Sequence, residues 1–388
     1  MSAPFDLLTD ALPALRERLD RLRALHDPAA LWPLLERLLL AHAPSGGANL
    51  PGAIGDEIGA LAGSLGLGER FLPQIGATGN AALALGADKD QADVVVAAHM
   101  DRPSFRVRSV EHGTLYPICA DRFPAGEYRV AAKALRFEDG RLTVGARGEI
   151  ISIKGGDQPA LRFEAEQGAL AWQDTVVMDP PPTFRDGTVT GTGLDNSLGV
   201  LTALLAAAAL ASLEDALRQQ DRRCLIVFTD QEEGPPEGFF GHGAARLTHA
   251  LPSPTCGAVI VDAHTAGPGL EPQPGVGASH STASNWGRGS IVPPHYHALA
   301  LDLAAGVNNA RPGTVQMNTG YLSRSDDMIL GRWARILALT GPPMTDPHTG
   351  HESARLSDVQ AGAWWLACFL AAALDLVPAL RERYALGR

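Results

Sequence analysis

The sequence predicts an α/β fold: a mostly parallel sheet flanked by helices, interrupted by an inserted small β domain. Three observations carry this. Residues 94–98, 225–228 and 258–261 are continuous apolar runs, the pattern of strands covered on both faces. Between about residue 105 and residue 186 helical periodicity disappears and short β-type stretches separated by glycine turns replace it. From Gly193 onward helices and buried strands alternate again, as helices layered on a sheet require.

Taken in order, residues 5–42 place Leu15, Leu19, Leu22 and Leu25, then Leu31, Leu34, Leu35, Leu38 and Leu39, at helical spacing. Asp27 and Pro28 divide the run into two helices, closed by the loop that starts at Ala43. Inside the β-rich segment, apolar and polar residues alternate on either side of Asp139-Gly140, which predicts a hairpin, and Gly155-Gly156 marks another turn. Residues 1–104 and 187–388 therefore read as one discontinuous α/β domain around an insert at 105–186. The apolar stretches 200–213 and 363–374 read as buried core helices, the second opened by a Ser357-x-x-Gln360 capping box.

Composition narrows the function. The chain has 388 residues and 45% apolar content, enough for a large core without disulfides. Acidic residues outnumber basic ones by 43 to 32, a net charge of -11, which argues against nucleic acid as a partner. No stretch shows the roughly 18 to 20 uncharged apolar residues of a membrane span, and the first residues lack the pattern of a secretory signal. Cys119, Cys224, Cys256 and Cys368 form no C-x-x-C pair, so reduced thiols in a cytoplasmic protein are expected.

Polar residues at the ends of the buried runs are the candidates for chemistry, because ligands collect at the carboxyl ends of strands in open α/β sheets. The first run leads into His99-Met-Asp101, either a metal ligand with an orienting acid or a surface pair. Gly193-Leu-Asp195-Asn196-Ser197 opens a long apolar helix, where Asp195, Asn196 or Ser197 would each serve as an N-cap and Asp195 could instead bridge two cations. The second run ends in Asp230, Glu232 and Glu233, like charges that are costly to pack unless cations or protons neutralise them. One glutamate there could ligate a metal while its neighbour acts as a general base. The third run ends at Asp262, and His348 and His351 lie in a loop before the last long helix. Together these supply the ligand stock of a two-metal hydrolytic centre.

The order of these motifs resembles the tetrahedral (glutamyl) aminopeptidase family of co-catalytic dizinc metallopeptidases. The likeness rests on His99-Met-Asp101, Gly193-Leu-Asp195-Asn196, Glu232-Glu233, Val261-Asp262 and His348-Thr-x-x-Glu352, from about residue 43 onward. His99 and Asp195 are 96 apart in sequence, and the stretch between them holds the β-rich insert, as in that family. The resemblance implies a zinc-peptidase-like α/β domain and an aminopeptidase acting on short peptides through a two-metal-activated water. His99 and Asp262 would bind one ion, Glu233 and His348 the other, and Asp195 both. Asp101 would orient His99 and Glu232 would be the general base. His348 fits the closing motif better than His351, through its spacing to Glu352 and Asp358. Zn²⁺ is the expected ion, with Co²⁺ or Mn²⁺ as alternatives. The insert would help build a homo-oligomer, a hollow dodecamer in the family, or else serve as a lid or dimer contact.

Departures from the family pattern are Arg102-Pro103 where an acid is usual, Asn196-Ser197 where Asp-Arg is usual, Ser45-Gly46-Gly47-Ala48 for the early Ser-Gly-x-Glu, and about 25 additional helical residues at the start. Two other readings remain at this stage: a related deacylase or carboxypeptidase, and a non-catalytic, metal-stabilised assembly protein.

Overall fold

The computed structural model describes residues 3–117, 120–155, 160–234, 241–319 and 324–387. Cys119, Gly156 and the turn expected there lie outside them. The chain opens with α1 (Pro4–Ala11), α2 (Pro13–Arg21) and α3 (Pro28–Leu40). The single helix expected before Asp27 is broken: Leu12 adopts φ −128° and ψ 62°, and Pro13 starts a new helix instead of continuing the first. Asp27 caps α3, accepting a hydrogen bond from the Ala29 amide at 2.9 Å.

After α4 (Ile54–Ser64) come β1 (Phe71–Leu72), β2 (Ala81–Gly86) and β3 (Val94–His99). The next six strands are β4 (Ser104–Ser109), β5 (Thr114–Leu115), β6 (Gly126–Glu138), β7 (Arg141–Lys154), β8 (Ala160–Gly168) and β9 (Thr175–Met178). They close into a barrel in the order β4-β5-β8-β7-β6-β9. Its longest pairing is the β6–β7 hairpin, turned by Asp139 (φ 51°) and Gly140 (φ 79°), both in the left-handed region such a turn needs. The barrel has its own core, built around Phe105, Phe123, Ile150 and Phe163.

The chain then forms β10 (Thr183–Arg185), β11 (Thr188–Gly191), α5 (Leu194–Leu210), α6 (Glu214–Gln219), β12 (Arg223–Thr229), α7 (His242–Ala250) and β13 (Gly257–Val261). It continues through β14 (His264–Thr265), β15 (Ala278–Ser281), α8 (Pro294–Ala310), β16 (Val315–Asn318) and α9 (Asp327–Leu330). Last come β17 (Ile336–Gly341), β18 (Pro343–Thr345), β19 (Glu352–Arg355), α10 (Leu356–Ala373) and α11 (Pro378–Tyr384).

The main sheet runs β1-β2-β12-β3-β13-β17-β15-β16 and is mixed. Its central strands β12, β3, β13 and β17 are parallel, whereas β2 runs antiparallel to β12, and β15 antiparallel to β17. The helix-free link from Gly86 to Val94 joins β2 to β3 on the far side of β12 and is too short to carry the chain back along the strands, so β2 runs opposite to β3 and β12. A second sheet, β10-β11-β19-β18-β14, lies beyond the ends of the central strands.

Helices α5 and α10 pack against each other and are buried along nearly their whole lengths. Two helical stretches, Leu194–Gln219 and Leu356–Ala373, are long and apolar enough to cross a bilayer by length and composition alone. The fold buries 89% and 94% of their most apolar windows, so both are core helices here. The expected capping box does not form. Arg355 occupies the N-cap of α10 without a side-chain cap, and Gln360 instead donates to the Ala24 carbonyl at 3.0 Å.

Candidate metal centre

Because β12, β3 and β13 are adjacent and parallel, their carboxyl ends share one edge of the sheet. His99 is the last residue of β3 and lies in register with Thr229, the last of β12. Beyond β12 the chain turns through Asp230 and Gln231, the latter at φ 60°, and presents Glu232 and Glu233. Asp262 follows β13 directly, its amide donating to the Thr340 carbonyl at 3.0 Å.

The second sheet brings up the other two residues. His348, at φ 62°, sits in the loop between antiparallel β18 and β19. Gly191, at the end of β11, is in register with Glu352 at the start of β19. The buried Glu352 carboxylate accepts from the Leu194 amide through Oε2 at 2.7 Å and from the His348 amide through Oε1 at 2.9 Å. One side chain thereby ties the entry of α5 to the His348 loop. Asp195 adopts non-helical φ −82° and ψ 104°. Asn196 does the capping instead: its Oδ1 accepts from the Gly199 amide at 2.9 Å, and its Nδ2 donates to the Val261 carbonyl at 2.8 Å. The Asp195 carboxylate therefore faces the cluster and does not serve the helix.

At the centre, Nε2 of His99 lies 3.1 Å from Oδ1 of Asp195, 3.4 Å from Oδ1 of Asp262 and 4.0 Å from Oε2 of Glu232. Nε2 of His348 lies 3.0 Å from Oε1 of Glu233 and 3.5 Å from Oδ2 of Asp195. Asp195 thus turns one oxygen to each histidine. Burial alone would lower the His99 imidazole, but Glu232, Asp101, Asp195 and Asp262 outweigh it and hold it well above its ordinary range. His348 is raised in the same way, with Glu233 and Asp195 overcoming burial. Burial, reinforced by Glu233, Asp262 and Asp326 and opposed by His99, pushes the Glu232 carboxyl well above the usual carboxylate range.

Asp101 meets His99 through both its backbone and its side chain. Nδ1 of His99 is 3.2 Å from the Asp101 carbonyl oxygen and 3.7 Å from its Oδ1, so the backbone makes the closer contact. The Asp101 carboxylate accepts from the Glu232 and Glu233 amides at 3.0 and 3.1 Å and seats both glutamates. Asp230 turns away, accepting from the Gly46 amide at 2.9 Å, and His351 is exposed. Asp358 accepts from the Gly275 and Gly277 amides at 2.7 and 3.0 Å and is a loop anchor.

One residue at the site was not singled out from the sequence. Asp326 is buried, accepts from Thr229 Oγ1 at 2.5 Å, and lies close enough to Glu232 and His99 to influence both. Burial, with Asp101 and Asp262 adding, raises its carboxyl to about 7. It lies in a loop with no apolar run before it, so the rule that exposed the other acids had nothing to act on.

The donor set fits divalent cations. Acids crowd the buried His99 ring, and a divalent cation would take the place of the proton they favour: His99 would keep its Nδ1 proton beside the Asp101 carbonyl and turn an Nε2 lone pair to the ion, together with oxygens of Asp195 and Asp262. His99, Asp195 and Glu233 each offer a ligand atom, all within 4.8 Å of one another. Neutral imidazole with carboxylate oxygens is a donor set suited to zinc and neighbouring divalent ions.

No protein-family model and no curated protein sequence matches the chain. Solved structures do. An aminopeptidase from the archaeon Desulfurococcus kamchatkensis superposes with a TM-score of 0.67 at 18% identity, over 90% of this chain and 97% of that one. A TET aminopeptidase from a marine-sediment Thaumarchaeota archaeon gives 0.64 at 16%, over 91% and 99%. The fold is that of the tetrahedral aminopeptidases. A third such structure, the TET1 peptidase of Pyrococcus horikoshii, gives 0.56 at 18% identity over 76% of this chain and 88% of its own, and is described as assembling into a tetrahedron or a large octahedral shell. At these identities the likeness to the tetrahedral aminopeptidases is one of fold, and it agrees with the resemblance read from the motifs.

Proposed function

We propose that the chain is a metal-dependent aminopeptidase that removes N-terminal residues from short peptides. The observation that carries this reading is the convergence of His99, Asp195, Glu233, Asp262 and His348 around a buried Glu232 at the carboxyl edge of the central strands. His99 and Asp262 would hold one ion, His348 and Glu233 a second, and Asp195 both; Zn²⁺ is favoured, with Co²⁺ or Mn²⁺ as alternatives. Two such ions, when bound, polarise the scissile carbonyl and lower the pKa of an attacking water towards about 7.

The chain's own groups do the rest. Asp101 holds the Glu232 and Glu233 backbone in place, and its carbonyl fixes which ring nitrogen of His99 faces the site. Glu232 takes the proton released as water adds to the carbonyl, and passes it to the amine as the C–N bond breaks.

The β barrel of β4 to β9 supports reading a separate insert within residues 105–186, set in a catalytic domain formed by 1–104 and 187–388, although β10 (Thr183–Arg185) pairs with β11 in the second sheet. The insert would serve oligomer contacts or limit substrate access, in an assembly of up to a dodecamer. A mass near that of a dimer in light scattering would contradict the closed shell. Hydrolysis of a panel of aminoacyl arylamides, with chelator and then Zn²⁺ or Co²⁺ restored, tests the function. The reading requires metal-restored cleavage of free-amino substrates. Cleavage of N-acylated substrates alone would replace it with a deacylase, and no cleavage of either would favour a non-catalytic protein.

A further inference from the structure

The His348 loop is held from both sides. On the sheet side, Glu352 accepts from the His348 amide. On the other side stands the barrel: the Tyr128 hydroxyl, on β6, accepts from the Gly350 amide at 2.9 Å. The Tyr128 ring also lies edge-on to His351, 6.4 Å between centroids at 81°, and packs against Phe123 at 5.1 Å inside the barrel core. The approach is close enough to require glycine. A methyl group at Gly350 would come within 2.6 Å of Val130 Cγ2 and 3.2 Å of the Tyr128 hydroxyl.

We propose that Tyr128, carried by the barrel, is a positioning residue for His348, so that the barrel sets the geometry of the side of the site built by His348 and Glu233. This rests on the metallopeptidase reading above. His348 holds a positive φ of 62°, a conformation uncommon for a non-glycine residue, and the contacts around its loop keep it there. Glu352 fixes one end of the short loop and Thr349 Oγ1 closes it internally on the Asp346 carbonyl at 2.7 Å. Tyr128 supplies the contact from outside the α/β domain. The barrel is thereby coupled to one half of the cluster, whereas His99 is the last residue of β3 and Asp262 directly follows β13, both placed by the main sheet.

The test is the Tyr128→Phe variant, which keeps the ring and removes the hydroxyl, compared with wild type by Co²⁺ titration followed in the visible absorption of the bound ion. Wild type should take up two equivalents. The variant should bind one equivalent as wild type does and the other at least about 10-fold more weakly, with an altered spectrum for that ion. Gly350→Ala, which pushes the loop off Val130, should produce the same selective loss. Two unchanged equivalents in Tyr128→Phe would overturn the proposal. An equal weakening of both would overturn it too, since that is general destabilisation. A wild-type protein that binds no Co²⁺ would instead refute the metallopeptidase reading at the first step of the experiment.

Discussion

Arg102 donates through Nη2 to Oγ of Ser197 at 3.2 Å, and the same nitrogen donates to the Leu38 carbonyl at 2.5 Å. Its Nη1 donates to the Leu39 and Ala41 carbonyls at 2.9 and 3.2 Å. The guanidinium therefore closes the C-terminal end of α3, where unpaired carbonyls and the negative end of the helix dipole favour a cation. Arg102 and Ser197 occupy two positions where the resemblance leads one to expect an acid and an arginine. Read along the chain they are separate departures; in space they are one contact, with the arginine on the opposite partner. Gly193 is committed to the same arrangement: at φ 76°, its Cβ position lies 2.1 Å from Nε of Arg102.

Arg102→Met should therefore destabilise the fold by about 3 kcal/mol, because the apolar replacement removes the guanidinium from the Leu39 and Ala41 carbonyls and leaves the Leu38 carbonyl only the Ala41 amide. The midpoint of urea unfolding checks this. A loss under about 0.5 kcal/mol would mean that water replaces the guanidinium.

Much of the site was legible because of one pattern, a buried apolar run that stops at a polar residue. His99, Glu232, Glu233 and Asp262 all stand where such runs end. The parallel pairing of those strands follows from the same runs, since continuous burial on both faces implies helices on both faces. The rest depends on contacts distant in sequence. Nothing near Asp326 announces that Thr229 bonds to it across the site. The Ser357-x-x-Gln360 motif has the spacing of a capping box, yet Gln360 is drawn to the Ala24 carbonyl by the packing of α10. The antiparallel direction of β2 and β15 is likewise set by how their connections are accommodated.

Glu352→Gln should weaken metal binding about 10-fold or more. The Glu352 side chain accepts from both the Leu194 and His348 amides, one through each oxygen. An amide offers one accepting oxygen in place of two, so one of those two backbone donors loses its partner. Competition with a chromophoric zinc chelator measures the change, and wild-type affinity would contradict the role.

His280 should make the metal-free protein acid-sensitive. The ring is fully buried, Trp365 Nε1 donates to its Nδ1 at 3.2 Å, and burial, with His297 adding, pushes its imidazole from 6.5 down to about 3. Below pH 6.5 the unfolded chain takes up a proton that the native ring refuses. The stability contribution is thus full above 6.5 and is lost as pH falls towards 3. Between pH 7 and pH 5, wild type should lose about 2 kcal/mol more than His280→Gln. The buried acids are common to both proteins and cancel in the comparison. Equal losses in urea melts at the two pH values would contradict the assignment.

The most direct test of the central claim is turnover by zinc-loaded Glu232→Gln, with metal content measured on the same sample. Glu232 approaches His99 but is assigned to proton transfer, so the variant should still hold two zinc ions while kcat falls by about 10³-fold. Unchanged turnover with full metal content would contradict the account.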